Sequence, residues 1–404
     1  VANSILTLGM ITRQALRLWK NSNAFIQNVN RQYDADYAVS GAKIGSNLKI
    51  RLPNDFVVAT GAALSAQDTA EQSTTLVVST QKHVDVSFNS VDRTLSLDDY
   101  SERILAPMVN NLAGAVAADV MSGIEGGVCN YVANTGSGGS VASPTASTVL
   151  TAGATLTNNS APVGRRKLVA DPVTMARTVN TLSGLFNPAK AISRQYESGQ
   201  IYDALNFAWF EDQTTIKHTT GSFSAGTVNG AGQTGLNLAV NPITGTFNKG
   251  DIITIAGVNQ VNRITKVSLQ TPRQFVVTAA VPSGSTSIPI YPAIVPPLNG
   301  APVQYQTTDS SPANGAVIAL AHNASETHRR NIAYAPESVA LVTADLYTPS
   351  KGVEEAARAV FDNVSMRMLT QYVIGTDQLA TRLDVLYGYA WLRPEWAVVI
   401  GDMV

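Results

Sequence analysis

The period of apolar and polar positions changes several times along the chain, and each change marks an element. Leu8, Ile11, Ala15 and Leu18 recur at spacings of three and four, which predicts one amphipathic helix within residues 1–40. Such a helix either packs on its own domain or forms an arm that reaches a neighbour. NLKIRL at 47–52 sets Leu48, Ile50 and Leu52 against Lys49 and Arg51, and HVDVSFNS at 83–90 repeats the pattern with Val84, Val86 and Phe88. A period of two predicts half-buried strands. The segment between them is polar, rich in Gly, Ala, Thr, Gln and Ser, and far longer than the roughly two to five residues of a hairpin loop. An extended β-arm that orders on a neighbour explains it, with a loose surface loop as the plain alternative.

From residue 101 the helical period returns in SERILAPMVNNLAGAVAADVMSGIEGGVCNYVAN, through Leu105, Val109, Leu112, Val116 and Val120. A helix along the whole stretch would extend about 50 Å at ~1.5 Å per residue, with Pro107 in its first turn or kinking it. TGSGGSVASPTAS at 135–147 reads as a loop, followed by a helix near 147–158, a strand in RKLVADP and a helix in VTMARTVNTLSGL. Residues 197–221 carry a turn, strand-like aromatics and a glycine exit, with His218 in the turn KHTTG. Residues 222–310 then shift to Gly, Thr, Val and Pro with closely spaced strand signals. Within them, GDIITIAGV alternates Ile253, Ile255 and Val258 between turn residues and reads as one side of a small β-barrel. After SSPANGA the mixed pattern resumes. It predicts an acidic helix around Glu354-Glu355-Ala356-Ala357-Arg358 and a strand in which Val364, Met366 and Met368 alternate with Ser365 and Arg367. A β module thus interrupts a domain whose halves lie near 161–221 and 311–404. Such insertions survive at exposed sites where both module ends leave close together.

Composition narrows the function classes. Charged residues make up 14% of the 404 positions, against roughly 25% in an average soluble chain. A surface poor in charge suits a protein covered by copies of itself, and a neutral secreted β protein is the plain alternative. The net charge of −1 argues against a nucleic-acid binder, which needs a basic face. Arg165-Arg166-Lys167 and Arg329-Arg330 read as solvated or interface charges. The single Cys129 excludes an intramolecular disulfide and fits a reducing cytoplasm. No apolar run approaches the ~20 residues of a membrane span, and Arg13, Arg17 and Lys20 break any signal-peptide pattern.

No catalytic constellation emerges. The phosphate loop, the nucleophile elbow and a strand-positioned dinucleotide fingerprint are all missing. His322 and His328 stand six apart, which puts them on no common helix face for a metal; His83 begins a strand. Asp98-Asp99 and Glu354-Glu355 are adjacent pairs whose side chains point apart. Trp391 and Trp396 read as core. The chain is read as non-enzymatic, with no catalytic, cofactor-binding or metal-binding residue and no cofactor.

The order of elements, with DDYSERILAPMVNNLAGAVAADVM, LTAGATLTNNSAPVGRRKLVADPVTMARTV, YESGQIYDALNFAWFEDQTTIKHTTG and LYGYAWLRPEWAVVIG, resembles the major capsid proteins of tailed bacteriophages. The resemblance is nearest to the coat proteins of short-tailed Salmonella-type phages, which carry a telokin-like insertion domain. It implies an α+β, Hong Kong 97-type capsid fold. The parts would be an N-terminal arm (1–45), an extended β-arm (46–90), a peripheral domain with a spine helix (91–160), a split axial domain (161–221 and 311–404) and an inserted β-barrel (222–310). It also implies self-assembly into pentamers and hexamers of an icosahedral shell, first a procapsid and then a mature head, enclosing double-stranded DNA without sequence-specific binding. Scaffolding protein and portal are the implied partners, the host cytoplasm the place of assembly and the virion the final location. The alternatives are an encapsulin-like compartment shell and a phage decoration or adhesin protein that binds through the β insert.

Overall fold

The structure, a computed structural model, describes residues 12, 15, 24–30, 47–62, 64, 66–67, 71–89, 104–164, 166–182, 201, 203–349, 355–361, 364–376 and 378–404. Its elements begin with α1 (Ala24–Gln27), β1 (Asn47–Arg51), β2 (Ser73–Val77), β3 (Thr80–Asn89) and α2 (Ala106–Ser122). Then come β4 (Asn130–Thr135), β5 (Val141–Ala142), α3 (Ala146–Asn158), β6 (Lys167–Ala170), α4 (Pro172–Leu182), β7 (Asp203–Ala204), β8 (Phe207–Glu211) and β9 (Ile216–Thr219). The next strands are β10 (Gly235–Ala239), β11 (Ile252–Val261), β12 (Ser268–Val277), β13 (Ser287–Ile294) and β14 (Ile318–Leu320). The chain closes with β15 (Thr327–Tyr334), β16 (Val339–Ala344), β17 (Glu355–Phe361), β18 (Val364–Val373), β19 (Gln378–Trp391) and β20 (Ala397–Met403).

Two compact units share these elements. The first joins Val1–Arg51, Ser73–Val120 and Val339–Leu392. Here β1 and β2 pair antiparallel, with Leu48 opposite Leu76, so a strand lies inside the segment the sequence reads as one long polar connection. A larger sheet runs β16-β19-β18-β17, with β3 also on β19. Most of α2 belongs to this unit. Pro107 occupies its first turn, where a missing N–H costs nothing, and Val109, Leu112, Val116 and Val120 are buried at helical spacing. The helix stops at Ser122, short of the full stretch that the spacing suggests, and turns precede β4. Residues 355–358 depart further from expectation, and Glu354 lies outside the described residues. Glu355 to Phe361 form a strand paired in continuous register with β18, from Glu355 opposite Thr370 to Phe361 opposite Val364. Ala, Glu and Arg are good helix formers, but the preference is worth only tenths of a kcal/mol per residue, and pairing with a neighbouring strand outweighs it. Leu8, Ile11 and Leu18 of the predicted N-terminal helix, and Asp98-Asp99, lie outside the described residues. Thr12 and Ala15 are helical and buried.

The second unit comprises Leu52–Gln72, Met121–Ser338 and Arg393–Val404. Its main sheet has the order β5-β4-β20-β15-β6-β8-β7, with β9 also on β15. Central β15 is buried along nearly its whole length, as a strand covered on both faces must be. Val149 and Leu156 of α3, Met175 of α4, and Leu168, Trp209, Ala333 and Ile400 of the sheet share one core. Thr145 caps α3 through a reciprocal pair with Thr148. A separate apolar core forms between β9 and β15 along the chain, in the five-stranded order β10-β13-β12-β11-β14. It includes Leu238, Phe247, Ile253, Ile255, Phe275, Ile290 and Ile318, and the Phe223 and Phe247 rings stack 4.3 Å apart. In β13 the burial alternates residue by residue, the pattern of a strand with one face inward. Ile318 lies past position 310, where the polar run SSPANGA suggests an end; that run is a turn within the module, in which Asn314 Oδ1 accepts from Gly230 N at 2.8 Å.

Candidate functional site

The chain leaves the main sheet after β9 and returns at β15, and the two crossings are tied together. Thr220 N donates to Glu326 O at 2.9 Å and Ser325 N to Gly221 O at 3.0 Å. Gly221 has no room for a side chain, because a Cβ there would run into the Thr246 carbonyl. Asp251, from the Lys249-Gly250-Asp251 turn that opens β11, accepts from Gly221 N at 3.1 Å and Asn248 N at 2.8 Å through the same oxygen. The barrel is therefore fastened to its host by backbone bonds and one buried carboxylate.

Beneath these crossings sits a buried polar cluster. His218 is on strand β9, not in the turn that KHTTG suggests, because β9 pairs with β15 through His218 opposite His328. Its Nδ1 meets Glu125 Oε1 at 3.0 Å and its Nε2 meets Asp251 Oδ1 at 2.7 Å. One ring thus bridges two carboxylates, one at each nitrogen. The ring centroids of His322 and His328 stand 4.6 Å apart, and the Tyr131 ring meets them edge-on at 5.0 and 5.6 Å. Thr220 Oγ1 bonds His322 Nδ1 at 3.0 Å, whereas among the described residues His322 Nε2 and both nitrogens of His328 have no hydrogen-bond partner. Burial, with the Arg330 charge beside it, pushes His322 down to about 4. Burial, followed by His322, Arg330 and His218, pushes His328 down to about 2. Both are neutral rings near pH 7. Arg330 is fully buried, donates to Gly250 O at 2.6 Å, and is lowered to about 10 by burial, opposed by Glu125, Tyr131 and Asp251.

A second cluster ties the 52–72 segment to the barrel. Arg263, in the β11–β12 turn, contacts Asp55 Oδ2 at 3.2 Å and Glu395 Oε1 at 2.5 Å, and Lys266 Nζ lies 3.6 Å from Asp55. Tyr305 donates to Asn54 Oδ1 at 3.0 Å. Three apolar side chains of this segment are exposed. Phe56 is 57% exposed, Val58 87% and Leu64 95%.

The charged pairs singled out in the sequence change their meaning. Arg166, expected at the surface, is buried and donates to Gly153 O, Thr157 Oγ1, Ala161 O and Pro162 O at 2.9 to 3.1 Å, closing the C-terminal end of α3. Arg329 and Arg330 are likewise buried, because both lie on central β15. Arg165 lies outside the described residues. His83 is exposed on β3 and pairs with Asp85 at 3.3 Å. Arg393 stacks over Trp396, 4.4 Å from its ring centre. Among the described residues no group of three or more His, Cys, Asp or Glu could hold a metal. Sequence reasoning passes over Asp55 and Arg263, takes Arg330 for a solvated or interface charge and leaves the histidines apart. One signal for the latter was present: three of the four histidines bracket the inserted module.

A family model described as "P22 coat protein - gene protein 5" matches residues 19–401. No curated protein sequence matches the chain. Among solved structures, one described as "Mycobacterium phage Che8" is 14% identical, with 94% of this chain and 90% of that one covered at a TM-score of 0.44. The "Capsid of Ralstonia phage GP4" is 7% identical, with 93% and 87% covered at 0.46. The "CUS-3 coat protein I-domain" is 26% identical, with 24% of this chain and 94% of that one covered at 0.20.

Proposed function

The chain belongs to the P22 coat protein family, and on that premise we propose how its parts divide the building of a shell. The protein is a structural major capsid protein that self-assembles into an icosahedral shell, and it resides in the virion. Its fold is the Hong Kong 97-type capsid fold with an inserted β-barrel. The 52–72 segment acts as the arm that docks on the next copy. One observation carries this reading: Phe56, Val58 and Leu64 stand largely in water at its tip. Covering each such side chain is worth roughly 1.5–3 kcal/mol. Contacts of that size suit a shell, because many of them act together across heterologous rings of five and six, while a misplaced subunit can still leave.

The shell passes from procapsid to mature head and encloses double-stranded phage DNA without reading its sequence. The net charge of −1, which provides no general attraction for phosphates, supports this. Scaffolding protein and portal join it in the host cytoplasm, a reading supported by family membership. Its role is structural, and no reaction is assigned to it. The barrel adds a core of its own to a subunit whose main sheet joins strands far apart in sequence.

Sedimentation velocity with negative-stain imaging tests the reading. The wild-type protein, with scaffolding protein added, is expected to give closed particles of megadalton size. The double variant Phe56→Asp, Leu64→Asp is expected to remain unassembled with an unchanged thermal midpoint. A wild-type protein that stays monomeric or trimeric at high concentration overturns the shell reading. A double variant that assembles normally overturns the arm's part in it.

A further inference from the structure

A cavity of about 220 Å³ lies in the second unit, lined by Cys129, Asn159, Arg263, Arg273, Tyr291 and Tyr305 among others. Leu236 at its wall is 53% exposed, so the cavity is reached from solvent. Arg273 is the unusual member. It is only 5% exposed, yet its hydrogen bonding among the described residues is a 3.7 Å contact from its terminal nitrogen to Cys129 Sγ, and its Nε has no partner. A buried guanidinium without an anion is costly, because its desolvation is not offset.

The neighbouring charges do not supply the missing anion. Asp55 and Glu395 are both engaged by Arg263, with Lys266 beside Asp55 and Arg393 beside Glu395. Asp55 and Glu395 themselves line the cavity and Arg263 takes up both, so Arg273 is the lining guanidinium left without a carboxylate contact among the described residues. Cys129 does not close the gap either, since burial pushes its thiol up and keeps it neutral. The Tyr291 hydroxyl lines the same space as a neutral donor, and the Asn159 amide oxygen is already used by Gln260 at 3.2 Å.

We propose that this cavity is a binding site for one small oxyanion of the phosphate type, held by Arg273 with the Tyr291 hydroxyl as a further donor. The planar guanidinium fork matches two oxygens of such an anion, and a charge-assisted bond of this kind is among the stronger ones available to a protein. The cavity is far too small for a nucleic-acid strand, so free phosphate is the ligand, not the packaged polymer. The proposal is independent of shell assembly, which is read separately.

The test uses the full-length, unassembled protein in phosphate and in chloride at matched ionic strength. Phosphate binding is followed by 31P line broadening, and Cys129 by its rate of modification with methyl methanethiosulfonate. Phosphate is expected to bind saturably at one site and to slow the modification of Cys129. Arg273→Met is expected to weaken phosphate binding by about tenfold to a hundredfold. If that variant does not fold, Arg273→Lys, which keeps a charge but loses the planar fork, is measured in its place with weaker binding again expected, and the wild-type protection of Cys129 stands as a second readout. A general salt effect would act equally on both proteins. Equal binding by wild type and folded variant, non-saturable binding, or Cys129 modified at the same rate with and without phosphate overturns the proposal. Binding of a short thymidine oligonucleotide at this site in preference to phosphate also overturns it.

Discussion

His328 is fully buried and neither of its ring nitrogens meets a partner among the described residues. The folded chain holds it at about 2 and its neighbour His322 at about 4, against an ordinary value of 6.5. The sign follows directly. Above pH 6.5 both folded and unfolded rings are neutral, and the fold has its full stability. As the pH falls through 6.5 the unfolded chain gains protons that the folded chain refuses, so stability declines until the folded rings themselves titrate. From pH 6.5 to 5 each ring removes about 2 kcal/mol. Arg330 and His218, with the carboxylates Glu125 and Asp251, face the pair and keep the local charge high. The urea midpoint of the full-length protein is therefore expected to fall markedly between pH 7 and pH 5. His328→Phe should remove about one ring's share of that slope. A midpoint that does not change with pH would mean that these rings are solvated.

Among the elements, α3 illustrates how ends are secured. Thr145 and Thr148 satisfy its N-terminal donors, and Arg166 reaches back from the following loop to its C-terminal acceptors. Arg166→Met keeps the buried stem but leaves several acceptors without donors. Because the lost bonds are charge-assisted, it should cost about 3 kcal/mol in urea unfolding, whereas an ordinary surface arginine would cost well under 1 kcal/mol. Strand β17 teaches the converse. Its Ala-rich sequence carries a helical preference, but its seven residues pair in full with β18. Local preference decides an element only where no neighbouring strand competes for the backbone.

On the scale of the molecule, the barrel stands on its own apolar cluster, distinct from the one shared by α3, α4 and the main sheet. Its two connecting segments are bonded to each other, so removing the host leaves its ends close together. A fragment of residues 221–321 is accordingly expected to unfold in one cooperative transition and to keep amide protection along β11 and β12. A fragment without protection would mean that the host sheet, not the internal cluster, holds the barrel together.

Much of this was legible in the residues. The three-and-four spacing of Val109, Leu112, Val116 and Val120 specified α2, the alternation of Ile253, Ile255 and Val258 specified β11, and the change of period marked the module. Those signals are local, because side-chain direction repeats every two or 3.6 residues whatever the rest of the chain does. The polar groups were not legible in the same way. Whether Arg330 meets water or the protein interior depends on its strand being the centre of a sheet, and the meeting of His218, His322 and His328 depends on β9 pairing with β15. Sequence alone determined the strongly periodic segments, such as α2 and β11, and that a β module interrupts another domain. Tertiary structure decided which charges are buried and what faces them, since that burial comes from long-range pairing of strands and leaves no period in the chain.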